Sequence, residues 1–211
     1  GSIMSKHAHA GGAMASFRAS WKRLQDLLQG TALVLAGQNG PEKSVVSGSV
    51  EEIEALLLRA KAEGIAGIRL PVSHAFHSPL IEPCVPVFAE YLKEVSFAPL
   101  GQDCGFVSTS TGAPLPTSVD LAQHLLEQLR APVLFADALK SVEGQVDLWL
   151  ELGSGQNLAT LASGCVDAPC LSLNAGESKV RDLFALVGAA YAFGAPVKWR
   201  QLFRGRKHKP L

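Results

Sequence analysis

The sequence predicts an α/β chain in two parts, and two patterns carry that prediction. From Gly12 to Val72, strand-like runs and amphipathic helices follow one another in the order β-α-β-β-α-β. Beyond Pro71, longer helical patterns alternate with short apolar runs. With 211 residues and 47% hydrophobic content, the chain has enough apolar material for one or two packed cores.

The first part divides cleanly. "GAMASFR" alternates apolar and polar residues, the period of a strand. "SWKRLQDLLQG" is a helix with Ser20 as N-cap and Gly30 as its stop, and Trp21, Leu24, Leu27 and Leu28 share one face. "TALVLAG" and "KSVVSGS" are strands joined by the turn "QNGPE", in which Asn39 tolerates positive φ and Pro41 fixes the exit. "SVEEIEALLLRAKAEG" carries a capping-box pattern at Ser49 and Glu52 and closes at Gly64. "IAGIRLPV" is the last strand. This order is the split β-α-β, ferredoxin-like arrangement, expected over 1–70.

After it, helices are expected near 78–95, 117–130, 134–142, 156–163 and 177–193. Strands are expected near 105–109, 146–152 and 169–173. Such alternation implies a parallel sheet with helices on both faces. Three strands are too few to stand alone, so 71–195 reads as the C-terminal part of a larger α/β domain. The ending, 196–211, reads as a linker.

Composition narrows the function. Lys plus Arg and Asp plus Glu both number 19, so the formal net charge is zero. That removes the usual electrostatic drive toward nucleic acid or an anionic membrane surface. The basic ending "RGRKHKPL" reads as a solvated tail. The four cysteines show no zinc spacing and are expected as buried free thiols in a reducing compartment. Apolar runs fall short of the roughly 18 residues of a membrane span, and no signal peptide is visible, so a cytoplasmic protein is the default.

"VSHAFHSPL" holds the main chemical candidate. His77 stands at a strand-to-helix junction, where α/β folds place functional groups, although a junction histidine is also an ordinary structural residue. No Gly-x-Ser-x-Gly elbow supplies a nucleophile for it. "GSGQN" at 153–157 ends in Asn157, and reads first as a structural turn. His74 and His77 do not form a metal site, because Pro79 breaks the helix that would present both. Gln128, just before Pro132, reads locally as an exposed helix end.

Several stretches together resemble one family. "VSHAFHSPLIEP", "LAGQNGPEKSVVSG", "LLEQLRAPVLFADAL", "LWLELGSGQNLATL" and "GAPVKWRQLFRGR" are similar, in this order, to segments of the acyltransferase domains of type I polyketide synthases and related fatty acid synthases. The ending also resembles the enediyne and polyunsaturated-fatty-acid type. The resemblance implies a ferredoxin-like subdomain inserted in an α/β-hydrolase-like subdomain. It implies transfer of malonyl from malonyl-CoA to the phosphopantetheine thiol of an acyl carrier protein through a serine acyl-enzyme, with no resident cofactor.

It also implies roles. His77 matches the general base, and Gln128 the residue whose backbone carbonyl orients it. His74 and Phe76 match positions that set malonyl against methylmalonyl, Phe76 filling the space an α-methyl branch needs. Asn39 falls in the family's Asn-Gly-Pro hairpin and is expected at the substrate pocket. "GSIM" fits the Gly-x-x-Met that follows the family's carboxylate-binding arginine, so Met4 is expected to line the acyl pocket and the chain to begin after a cut at that arginine; the competing reading of "GS" is a cloning scar. The serine nucleophile, that arginine and the oxyanion-hole glutamine have no counterpart here. The expected partner is therefore an N-terminal fragment of the same domain. The alternative is a non-catalytic docking module that lacks the nucleophile half.

Overall fold

The computed structural model describes residues 2–101, 103–174 and 180–204. Gly1, the expected helix start at 177 and the basic tail from Gly205 lie outside the described residues. The chain divides into two compact units, Gly1–Glu143 with Gly164–Val166, and Gly144–Ser163 with Asp167–Leu211. The boundary expected at residue 70 falls inside the first.

The first unit opens with a short helix the sequence reading did not foresee, α1 (Ser2–His7). It continues with β1 (Gly12–Phe17), α2 (Trp21–Leu27), β2 (Val34–Gly40), β3 (Lys43–Ser49), α3 (Val50–Ala62) and β4 (Gly67–Arg69). The strands form one antiparallel sheet in the order β2-β3-β1-β4, the ferredoxin-like arrangement. The helix ends follow their local chemistry. Ser20 accepts the Arg23 N–H at 3.3 Å. Ser49 accepts the Glu52 N–H at 3.3 Å and donates its hydroxyl to the Glu52 carboxylate at 2.9 Å. Gly30 and Gly64 stop α2 and α3 at positive φ.

Alternation along β1 decides which face is core. Ala13, Ala15 and Phe17 point to the side covered by α2 and α3 and pack with Leu24, Leu27, Leu28, Val46, Ile53 and Leu56. Met14 points to the opposite face, with Ala36 and Val45, and there it receives Leu70, Val72 and Phe76. One turn differs from expectation. Asn39 and Gly40 belong to β2, Pro41 and Glu42 make the turn, and Asn39 occupies a bulge between the Gln38–Ser44 and Gly40–Lys43 pairs. Asn39 is not among the residues at positive φ. Pro41, with its fixed φ, is itself the turn former, so the Asn-Gly pair is not needed for that purpose.

Beyond the sheet come a 3₁₀ turn (Pro79–Ile81), α4 (Cys84–Lys93), β5 (Val107–Ser108), β6 (Ala113–Pro114), α5 (Leu121–Gln128) and α6 (Phe135–Lys140). The helix expected from 78 begins only at Cys84, because Pro79 and Pro83 interrupt its amide ladder. β5 is not a parallel-sheet strand. It pairs antiparallel with β6 in a short hairpin whose turn carries Gly112 at φ +67°. Asp120 caps α5, accepting the Gln123 N–H at 3.1 Å, so that helix starts four residues later than expected.

The second unit holds β7 (Trp149–Glu151), α7 (Asn157–Ala162), β8 (Cys170–Ser172), α8 (Val180–Ala192) and α9 (Trp199–Leu202). β7 and β8 are parallel, with Trp149 opposite Cys170. The ending expected as a linker contributes α9. Trp199 meets Tyr191 edge-on at 5.2 Å, and Phe203 stacks on Phe184 at 5.8 Å. No helix among the described residues is long and apolar enough to cross a membrane.

Candidate active site

The segment 73–78 lies against the free face of the antiparallel sheet. Ala75 is buried, and a Cβ on Gly12 would sit 2.5 Å from the Ala75 nitrogen. Gly12 is therefore what lets this segment approach the start of β1. Ser78 is also buried. Its hydroxyl donates to the Ala75 carbonyl at 2.6 Å and accepts the Leu80 N–H at 3.2 Å, capping the 3₁₀ turn. Between these anchors His77 adopts φ +58°, a conformation unusual for a side chain with a Cβ.

A second segment meets it. Residues 131–134 run parallel beside the edge strand β2. The Gln38 N–H donates to the Val133 carbonyl at 2.7 Å, and the Val133 N–H to the Ala36 carbonyl at 2.9 Å. This covers a sheet edge that would otherwise be open. Leu134 adds a bond to the Thr109 carbonyl at 2.6 Å. With its amide turned so that nitrogen faces the carboxylate, Gln38 also reaches Asp137 at 2.9 Å. Pro132 biases Ala131 toward extended backbone, which suits this path.

The two segments join at His77. Its Nδ1 lies 2.8 Å from the Ala131 carbonyl oxygen. A carbonyl oxygen only accepts, so Nδ1 carries a hydrogen, and in the neutral ring Nε2 is then the nitrogen with the lone pair. A ring so held can take a proton at Nε2. The orienting carbonyl was expected at Gln128, and this is a correction. Gln128 ends α5 with an exposed side chain, and the carbonyl that faces the ring lies three residues later, where the chain has left the helix.

The other expected residues are placed as follows. Phe76 is half-buried against Met14, Ala36 and Val45. The His74 ring is tilted 54° to Phe76, with centroids 5.9 Å apart, and its Nδ1 is 2.7 Å from the Ser73 hydroxyl. Asn39 lies in the β2 bulge, three residues beyond Ala36, and its carbonyl faces the Cys165 thiol at 4.0 Å. Met4 is half-buried on α1. That helix packs on α4, and His9 donates its N–H to the Leu80 carbonyl at 3.2 Å, which ties the end of α1 to the turn after His77. The "GSGQN" stretch is a structural turn, with Gly155 at φ +84° and its N–H held by Asn174 Oδ1 at 2.9 Å.

Of the thiols, Cys84 and Cys165 are buried and Cys170 half-buried. Cys104 is exposed, against expectation. It sits in the open loop ahead of β5 rather than on a packed element. Burial pushes the Cys84 and Cys170 thiols above the ordinary thiol range.

Ala131 and Gly12 were missed in the sequence. A backbone acceptor has no residue-type signature, and a close-approach glycine reads as any strand-end glycine.

The chain is thus an α/β protein with a ferredoxin-like sheet and a carbonyl-fixed histidine on the sheet's free face. The acyl transferase domain model matches residues 2–154, and the chain belongs to that family. It is 31% identical over 211 residues to polyketide synthase GfsB of Streptomyces halstedii, covering 93% of this chain and 4% of that protein. It is 32% identical over 201 residues to the phenolphthiocerol synthesis polyketide synthase Pks15/1 of Mycobacterium bovis, covering 93% and 9%.

Among solved structures it is similar to the acyltransferase domain of the iterative polyketide synthase in enediyne biosynthesis. The TM-score is 0.87 at 32% identity, covering 97% of this chain and 54% of that one. It is also similar to the acyltransferase domain from the second module of the salinomycin synthase, with TM-score 0.84 at 28% identity, covering 99% and 51%. The chain thus spans about half of these solved domains and a small part of the synthases.

Proposed function

We propose that this chain is the base-bearing portion of a malonyl-type acyltransferase domain of a polyketide synthase. The observation that carries the reading is the bond between His77 Nδ1 and the Ala131 carbonyl, which leaves Nε2 free to act as a base. In the first half-reaction a serine hydroxyl gives its proton to Nε2 as its oxygen attacks the malonyl-CoA thioester. The thiol of CoA leaves with that proton. In the second half-reaction the phosphopantetheine thiol of a carrier protein gives its proton to Nε2 and attacks the acyl-serine, and the proton returns to the serine oxygen. Phe76 and His74 form the wall that discriminates against an α-methyl branch.

The serine comes from an N-terminal portion of the same domain. Two features support this. Two parallel strands make a marginal sheet by themselves. Leu150 and Leu152 are exposed on and just after β7, Leu152 at 75%. Uncovered leucines at a two-stranded sheet are what an absent neighbouring strand or helix would leave. The parent synthase is iterative or modular, since the chain is similar both to the enediyne domain and to a salinomycin module domain.

The test is labelling with radioactive malonyl-CoA of this chain together with the N-terminal portion, followed by separation of the two polypeptides. Label is expected on the N-terminal portion, and loss of carrier-protein transfer is expected in His77→Ala. Undiminished transfer in His77→Ala would overturn the base assignment. A chain that is monodisperse, folded and inert with the N-terminal portion present would favour the docking module.

A further inference from the structure

We propose that Glu82 and Arg130 form a positioning clamp for His77, a role that rests on the reading of His77 as base. Arg130 Nη1 lies 3.0 Å from Glu82 Oε1 and 3.3 Å from Oε2. Arg130 directly precedes Ala131, whose carbonyl faces His77. Glu82 directly follows the 3₁₀ turn that Ser78 caps. The ion pair and the ring hydrogen bond are therefore adjacent rungs between the same two stretches of chain.

Those stretches are anchored to different parts of the fold. Val133 is bonded to the edge strand β2, and Ala75 rests against Gly12 at the start of β1. Neither anchor sets the distance between the His77 ring and the Ala131 oxygen. A single neutral hydrogen bond from a ring at positive φ is a weak way to hold it. The clamp adds a charge-assisted link at one residue's remove from the carbonyl. If it opens, water competes for Nδ1 and the ring returns to the Nε2–H tautomer that free histidine prefers. Nε2 then cannot accept a proton. Both partners are about half exposed, 48% for Arg130 and 55% for Glu82, so the link is screened by salt. A pair that merely linked the residue after the 3₁₀ turn to the loop after α5 would leave the ring tautomer unchanged.

Ring-¹⁵N NMR of the full chain tests this, with His77 assigned by difference from His77→Gln. The unsubstituted chain is expected to show His77 mainly as Nδ1–H. In Arg130→Gln and in Glu82→Gln the ratio of Nδ1–H to Nε2–H should fall about two- to fivefold, the reach of an exposed ion pair. The charge-swapped double variant Glu82→Arg/Arg130→Glu should recover most of the loss. Added salt near ~1 M should lower the ratio in the unsubstituted chain and leave the single variants unmoved. An unchanged ratio in both single variants overturns the clamp. If those variants lose their amide dispersion, the salt titration decides alone, and a salt-independent ratio overturns it. The readout needs no turnover. A responsive ring in a protein that does not need His77 for transfer would sink the base reading and not the clamp.

Discussion

His77 Nδ1 meets the carbonyl oxygen of Ala131 at 2.8 Å across 54 residues of chain. Neither partner is held by its own local sequence alone. The ring sits between a glycine-dependent contact and a serine-capped turn, and the carbonyl sits on a stretch pinned to a sheet edge by backbone bonds. The site is a meeting of two supports, and each makes a separate claim that can be tested.

Gly12→Ala should push residues 73–78 off the sheet, because the new Cβ would lie 2.5 Å from the Ala75 nitrogen and 2.8 Å from its Cβ. Overpacking of this kind costs about 1–3 kcal/mol. Urea melts of the complex with the N-terminal portion should show the loss, and transfer should fall more than stability does. A variant with the melting curve and transfer rate of the parent would remove Gly12 from the account.

The pair His74→Tyr and Phe76→Ser should relax discrimination against methylmalonyl-CoA. One methyl in a pocket is worth about 1–3 kcal/mol, so the malonyl preference should drop by roughly tenfold or more. Competition between the two thioesters, read as the ratio of kcat/KM values, checks it. A preserved ratio would mean that the wall lies elsewhere.

Ser47 stands opposite Met14 with a fully buried hydroxyl that has no hydrogen-bond partner among the described residues. An unpartnered buried hydroxyl costs about 1–3 kcal/mol. Ser47→Ala should therefore raise stability by around 1 kcal/mol without reducing transfer. A destabilised Ser47→Ala protein would show that the hydroxyl has a partner after all.

The raised Cys84 and Cys170 thiols give alkaline stability a sign. Above the ordinary thiol pKa of about 8.5 the unfolded chain releases protons that the folded chain still holds. Stability is full below that pH and is lost as pH rises toward the elevated folded values. Replacing both cysteines by alanine should flatten the decline seen in thermal melts between roughly pH 8 and 10. Cys104, being exposed, should alkylate first. Equal alkylation rates at all four thiols would contradict this burial pattern.

Much of this was readable from residues alone. Ser20, Ser49, Gly30 and Gly64 mark the ends of α2 and α3 because caps and stops act through their own few neighbours. The run "GAMASFR" read as a strand before any partner strand was known, and it is β1. The errors fall where tertiary pairing competes. Residues 105–109 carry a strand-like run, yet only Val107–Ser108 pairs, and it pairs with a hairpin partner rather than a parallel neighbour. Hydrophobic character says that a strand is buried, not which strand lies beside it.

The sequence by itself determined the ferredoxin-like order of elements and the family, and it singled out His77 as the candidate, because propensity, capping and motif chemistry are written in side chains. Only the tertiary structure decided that the Ala131 rather than the Gln128 carbonyl faces that histidine, that Gly12 makes room for Ala75, and that Arg130, next to Ala131, pairs with Glu82. The reason is physical. A backbone carbonyl is the same at every residue, and closeness in space between distant segments is set by how whole elements pack, which no short stretch of sequence records.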